Sequence, residues 1–226
     1  MRAFHLFELK HDDDEVTEII TSSNCSRTSD NLILVSTNKN ARLFDLRKPM
    51  IGGKAHAKFE EAPVGKRNMF TDYLGFVSQA VFAGENKIIT REFMQTKVWD
   101  IRHSSKPLAT TVLNPGLMTK LADMYENDAI MERFNVSSSQ DGKRHAAGMF
   151  NRSFHIIDHE AQTNMMVGLS FKKQTYLKQI GKGGQPEVLP TPYNFEQKVQ
   201  RLAWHPSEDV IACLLDSSIF IYKNTK

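Results

Sequence analysis

Four stretches of this 226-residue chain share one spacing, and that repetition constrains the fold more than any single residue does. Residues 34–45, 89–100, 147–158 and 211–222 overlay without a gap. Each opens on apolar residues: Ile33-Leu34-Val35, Ile88-Ile89, Ala146-Ala147 and Val210-Ile211-Ala212. Each crosses a polar turn: Asn38-Lys39-Asn40, Met94-Gln95-Thr96, Asn151-Arg152-Ser153 and Asp216-Ser217-Ser218. Each closes on a second apolar pair: Leu43-Phe44, Val98-Trp99, Ile156-Ile157 and Phe220-Ile221. Short β-prone runs separated by residues that tolerate turn geometry read as strand, tight turn and strand. Residues 17–20, 76–82, 131–136 and 199–204 are expected to add a strand before each pair, and Phe4–Glu8 reads as the tail of an earlier copy.

Three or four antiparallel strands per repeat, closing on an aromatic–acid pair such as Trp99-Asp100, is the pattern of a WD-type β-propeller blade. A β-sandwich with regular hairpins is the alternative on spacing alone. The expected fold class is all-β, with blade ends near residues 8, 45, 100, 158 and 222. The blade-end residues Phe7, Phe44, Trp99, Ile157 and Ile221 stand 37, 55, 58 and 64 positions apart. A plain repeat takes about 40–45 residues, so extra chain falls at 48–75, 103–128 and 159–197. Such face loops are where a propeller usually carries its function, because the strands are occupied with packing.

Composition narrows the classes. A net charge of +3 is too near balance to argue for nucleic acid or an anionic membrane as the main partner. The longest apolar run, Val210 to Leu215, is far short of the roughly 18 residues that cross a bilayer. The opening residues, broken by His5 and Glu8, do not read as a secretory signal. Cys25 and Cys213 make no disulfide framework, which suits the cytoplasm or nucleus.

The inserts have distinct characters. Residues 114–127 read as a helix capped by Asn114 and opened by Pro115, with Met118, Leu121, Ala122 and Tyr125 forming an apolar stripe. Asp123, Glu126, Asn127 and Asp128 follow on the polar side. Residues 67–74 read as a short helix with Met69, Phe70, Tyr73 and Leu74 apolar and Gly75 as its stop, near Glu60, Glu61 and Asp72. The third insert holds Lys172, Lys173, Lys178 and Lys182 among Gly181, Gly183 and Gly184, and lacks the aromatic interleaving of a single-strand platform. No nucleophile turn, phosphate loop, cofactor motif or metal spacing stands out. His155 and His159 flank Asp158, but strand alternation would point Asp158 to the opposite face. These patterns argue against an enzyme.

Lys120-Leu121-Ala122-Asp123-Met124-Tyr125-Glu126-Asn127-Asp128-Ala129-Ile130, with Phe134 after it, resembles a segment of the WD-repeat B family of protein phosphatase 2A regulatory subunits. The resemblance extends through Phe59-Glu60-Glu61, Arg67-Asn68-Met69-Phe70, Thr90-Arg91, Lys97-Val98-Trp99-Asp100, Ala203-Trp204-His205-Pro206, Ile211-Ala212 and Ile219-Phe220-Ile221. It implies a non-catalytic subunit, a seven-bladed propeller that docks on a helical-repeat scaffold and holds phosphoprotein substrates near a serine/threonine phosphatase catalytic subunit. It assigns substrate contacts to Tyr125, Asp128 and Phe70, with Met131 where the family tends to have an aromatic residue. Glu126 and Asn127, with Glu60 and Glu61, become loop-supporting residues, and no cofactor, metal, nucleic acid or membrane partner is implied.

Only the C-terminal part of the family pattern is present, so the expectation is an arc of about four blades. Its open strand edges would lie near Phe4 and at residues 219–222. Asn24-Cys25-Ser26 stands where an aromatic-His-Pro ending is usual. An interaction scaffold of an unrelated complex is the alternative function.

Overall fold

The computed structural model describes residues 18–48, 54–61, 69–170, 176–180 and 194–223. The blade tail expected at Phe4–Glu8 lies outside them. The described strands form four antiparallel meanders, taken in chain order. The first is β1 (Ile20–Cys25), β2 (Leu32–Thr37), β3 (Ala41–Asp45) and β4 (Ala57–Phe59). The second is β5 (Gln79–Ala83), β6 (Lys87–Arg91), β7 (Gln95–Asp100) and β8 (Ala109–Val112). The third is β9 (Val136–Ser138), β10 (Arg144–Gly148), β11 (Ser153–Asp158), β12 (Thr163–Gly168) and β13 (Tyr176–Ile180). The fourth is β14 (Leu202–Trp204), β15 (Val210–Leu215) and β16 (Ser218–Lys223).

The first strands of successive sheets lie side by side, β1 by β5, β5 by β9 and β9 by β14. Side chains on each one accept backbone amides from the next. Ala80 and Phe82 donate to Ser22 Oγ (3.1 Å) and Asn24 Oδ1 (3.2 Å). Val136 donates to Gln79 Oε1 (2.8 Å), and Trp204 to Ser137 Oγ (2.9 Å). Innermost strands joined in order, with sheets radiating from them, make an arc of a β-propeller.

This stitching shifts the first strand from its expected place. The strand expected at 17–20 instead runs over Ile20–Cys25, a stretch with little apolar character beyond its first residue, because its Ser and Asn side chains serve as acceptors. The strand expected at 131–136 begins only at Val136, and Ala129–Met131 is a 3₁₀ turn. Those expected at 76–82 and 199–204 are the shorter β5 and β14.

The hairpins also correct the gapless overlay of the four repeats. Leu34 faces Leu43 and Ile89 faces Val98, at one spacing. In the third hairpin Ala147 faces His155, and Ala146 faces Ile156, a slip of one residue. In the fourth, Ile211 faces Tyr222, and it is Ala212 and Ile221 that match Leu34 and Leu43. In the third, Asn151 and Arg152, both at positive φ, lengthen the turn; the fourth turn, at Asp216 (φ 52), is as short as the first and falls one position later than the overlay places it. An uncorrected slip would exchange the two faces of a strand, so the turn geometry keeps the apolar set inward.

Burial sits between blades. Leu34, Leu43 and Phe59 of the first sheet pack on Phe82, Ile88 and Trp99 of the second. Trp99 Nε1 donates to Thr90 Oγ1 (3.0 Å), so its polar atom is satisfied inside the core. Val81, Ile89 and Val98 meet Val136, and Phe154 and Val167 meet Trp204, Ile211 and Cys213. On the fourth sheet the face matching Leu34 and Leu43 carries Ile219 and Ile221, 71% and 64% exposed.

Candidate functional site

A separate apolar cluster supports the inserts. Phe93 and Met94 of the second hairpin's turn meet Leu117, Met124, Ile130 and Phe134 of the second insert, with Met149 and Phe150 of the third hairpin's turn. Phe150 is gripped edge-on by Phe93, Phe134 and Phe195. The hairpin turns of two blades therefore form the floor on which the insert stands.

The first insert contributes α1 (Met69–Leu74), which Gly75 ends as expected, its amide bonded to Thr71 O at 3.0 Å. Residues 67 and 68 lie outside the described residues.

The second insert is not the single helix expected at 114–127. Pro115–Lys120 is 3₁₀, and α2 (Leu121–Glu126) follows it. Asn114 makes no side-chain cap. Leu117 and Met124 are buried, whereas Met118, Ala122 and Tyr125 of the expected stripe are exposed. The tighter 3₁₀ turn rotates the chain ahead of α2 out of the 3.6-residue phase on which that stripe was drawn. The consequence is an apolar surface facing outward.

Aromatic rings join α1 to α2. Phe70 meets Tyr125 edge-on, centroids 6.4 Å apart, and Tyr73 meets the same ring at 6.3 Å. Edge-to-face pairs are each worth about 0.5–1.5 kcal/mol. Tyr125, Met118 and Met131 remain 43–44% exposed.

Past α2 the chain turns sharply. Asn127 closes the helix, its amide and side-chain Nδ2 both donating to Asp123 O (3.2 and 2.7 Å). Asp128 is left-handed (φ 55, ψ 8), a conformation that a short polar side chain tolerates. Its amide donates to Tyr125 O and its carbonyl accepts from Met131 N, both at 3.2 Å. The turn leaves the side chains of Glu126 and Asp128 exposed beside Tyr125 and Met131 in the chain. Asp123, one turn back, is paired with Lys120 at 3.7 Å.

Glu60 and Glu61 have different partners. Glu60 pairs with Lys58 (2.8 Å) and Glu61 with Lys97 (2.9 Å), which also holds Glu92 (2.8 Å). Burial opposes charge on Lys97, but Glu92 and Glu61 outweigh it and raise its pKa. Glu61 thus ties the first sheet's edge to the second sheet, while Glu60 stays within the first. Tyr73 joins Phe70 and Tyr125 although it was not singled out as a contact. Tyr73's place one turn beyond Phe70 was the available signal.

Among the described residues, no three His, Cys, Asp or Glu side chains gather to hold a metal. His155 Nδ1 donates to Asn164 Oδ1 (2.8 Å), and Asp158 Oδ1 accepts from the amides of Glu160 and Ala161. Residues 171–175 and 181–193 of the third insert lie outside the described residues; between them the backbone of β13 pairs with β12.

No family model matches the chain. Curated relatives do. A beta isoform of the protein phosphatase 2A 55 kDa regulatory subunit from Oryza sativa subsp. indica is 31% identical over 98% of this chain and 47% of its own length. The beta isoform from Arabidopsis thaliana is 28% identical over 98% and 49%. The 55 kDa regulatory subunit from Drosophila melanogaster is 27% identical over 93% and 44%. The chain thus spans about half the length of the curated relatives it matches. Among solved structures, Chaetomium thermophilum Raptor superposes with a TM-score of 0.57 at 15% identity, over 94% of this chain and 15% of that one. At that identity the likeness speaks to fold. Over nearly its whole length, then, this chain is similar to the 55 kDa regulatory subunits of protein phosphatase 2A.

Proposed function

We propose that this chain is a non-catalytic regulatory module of a protein phosphatase 2A-type complex, acting in the cytoplasm or nucleus. In this reading the face built from its two inserts receives phosphoprotein substrates. Its partners are a helical-repeat scaffold and the serine/threonine phosphatase catalytic subunit. The observation that carries the reading is the joining of Phe70, Tyr73 and Tyr125 beside the exposed, left-handed Asp128. Half-exposed aromatic and thioether groups can bury apolar side chains of a ligand, which is where interface energy concentrates. The carboxylates of Glu126 and Asp128 complement Lys or Arg flanking a phosphosite and discourage acidic segments. The module selects and orients the substrate, and bond cleavage falls to the catalytic partner.

Affinity capture of the tagged chain from cells, with and without Asp128→Lys, is the test. Wild type is expected to recover the scaffold, the catalytic subunit and basic phosphoproteins, and Asp128→Lys to lose the phosphoproteins selectively. Recovery of neither phosphatase subunit would favour a propeller serving an unrelated complex.

A further inference from the structure

Beside the exposed aromatic contact, Arg133 joins the segments that follow the two inserts. Its guanidinium carbon lies 3.8 Å from the centroid of the Phe76 ring, just past the end of α1. Its Nη1 donates to Ile130 O (3.3 Å) and Glu132 O (3.0 Å), the carbonyls at the end of the 3₁₀ turn that follows Asp128. Beside it, Ser78 Oγ donates to Phe134 O at 2.8 Å, so the two chain segments run together at this level. Burial lowers the pKa of Arg133, with Glu132 and Tyr73 opposing that shift.

We propose that Arg133 is a positioning residue for the two-insert face, fixing how Asp128 and Met131 stand relative to Phe70 and Tyr73. This rests on the substrate-receiving reading of that face. One surface of the guanidinium is committed to the α1 side and its edge to the Asp128 side. A planar, delocalised cation can stack and donate at once, which an ammonium cannot reproduce. The 3₁₀ turn is a single short element, and Arg133 occupies its terminal carbonyls as a basic side chain does at a helix C-terminus. Without that link, Asp128 and the turn that follows it lose their fixed bearing on α1, and the Met131–Asp128 hydrogen bond opens more often.

The test uses the full chain and a fluorescein-labelled phosphothreonine peptide flanked by lysines and one leucine. Binding is read by anisotropy, and amide exchange at Met131 reports the turn. Arg133→Gln is expected to weaken binding about tenfold and to speed Met131 exchange, with little change in Tm. Arg133→Lys, which keeps the charge, is expected to restore neither. If either variant binds the peptide like wild type while Asp128→Lys does not, the positioning role is overturned and the receiving face stands. If Asp128→Lys also binds like wild type, the receiving face itself is overturned.

Discussion

His145 Nε2 sits 3.0 Å from Thr96 Oγ1 across the seam between the second and third blades, and both residues are buried. His155, one strand over on the same face, is buried as well. Burial pushes His145 down to about 3, helped by the nearby His159 and Arg91. Burial likewise takes His155 to about 4, with its Asn164 bond opposing and Arg91 assisting. Neutral imidazoles are thus part of the seam.

The pH dependence follows from that depression. An unfolded histidine takes up a proton below about pH 6.5, whereas these two resist until about pH 4 or lower in the fold. Stability is therefore complete above pH 6.5 and lost as pH falls toward 4, by about 2 kcal/mol per histidine at pH 4.5. Urea unfolding at pH 7.5 and 4.5 should show the midpoint dropping. An unchanged midpoint would refute the neutral-histidine seam.

Tyr125→Ala removes the ring on which Phe70 and Tyr73 converge, and the contact it gives up is partly exposed. The expected cost is about 1–2 kcal/mol of stability, with a larger proportional loss of binding to a lysine-flanked phosphopeptide. Calorimetry and anisotropy on the same preparation separate the two effects. Equal losses in both would reduce Tyr125 to a packing residue.

Gly148→Ala should be far more damaging than its size suggests. A Cβ there would run into the backbone carbonyl of Val199, where the third hairpin meets the segment leading into the fourth blade. Backbone on both sides cannot yield as a flexible side chain can, so about 3 kcal/mol or more is expected. A Tm within about 2 °C of wild type would show that the seam is looser than described.

Ile219→Lys with Ile221→Glu places opposite charges on the open face of the fourth sheet, where both isoleucines are largely exposed. Among the described residues β16 is an edge strand, and apolar faces at a sheet edge promote self-association. The double variant should sediment with less high-mass material while its stability stays within about 0.5 kcal/mol of wild type. Unchanged aggregation would move the liability elsewhere.

Much of this architecture was written locally. The apolar pairs around polar turns define four hairpins because side-chain alternation and turn chemistry are properties of a few neighbouring residues. The resemblance centred on Tyr125-Glu126-Asn127-Asp128 was likewise legible, as was Gly75 ending α1. Register was less so. Overlaying the hairpins by residue count misses the extra left-handed pair Asn151-Arg152 and the tight turn at Asp216, which decide which residue faces which.

The tertiary structure alone decided which insert side chains are exposed. A helical wheel turns Met118 and Tyr125 inward, but the 3₁₀ entry and the floor of Phe93, Phe134 and Phe150 claim Leu117 and Met124 instead. Glu60 and Glu61, which chain order sets near the first insert, are taken by Lys58 and Lys97. Polar Ser22 and Asn24 pair with β2 and also accept amides from the neighbouring blade, a role that their own segment does not announce. Periodicity is encoded within a segment. Which face is buried depends on partners distant in the chain, and those exist only once the blades have met.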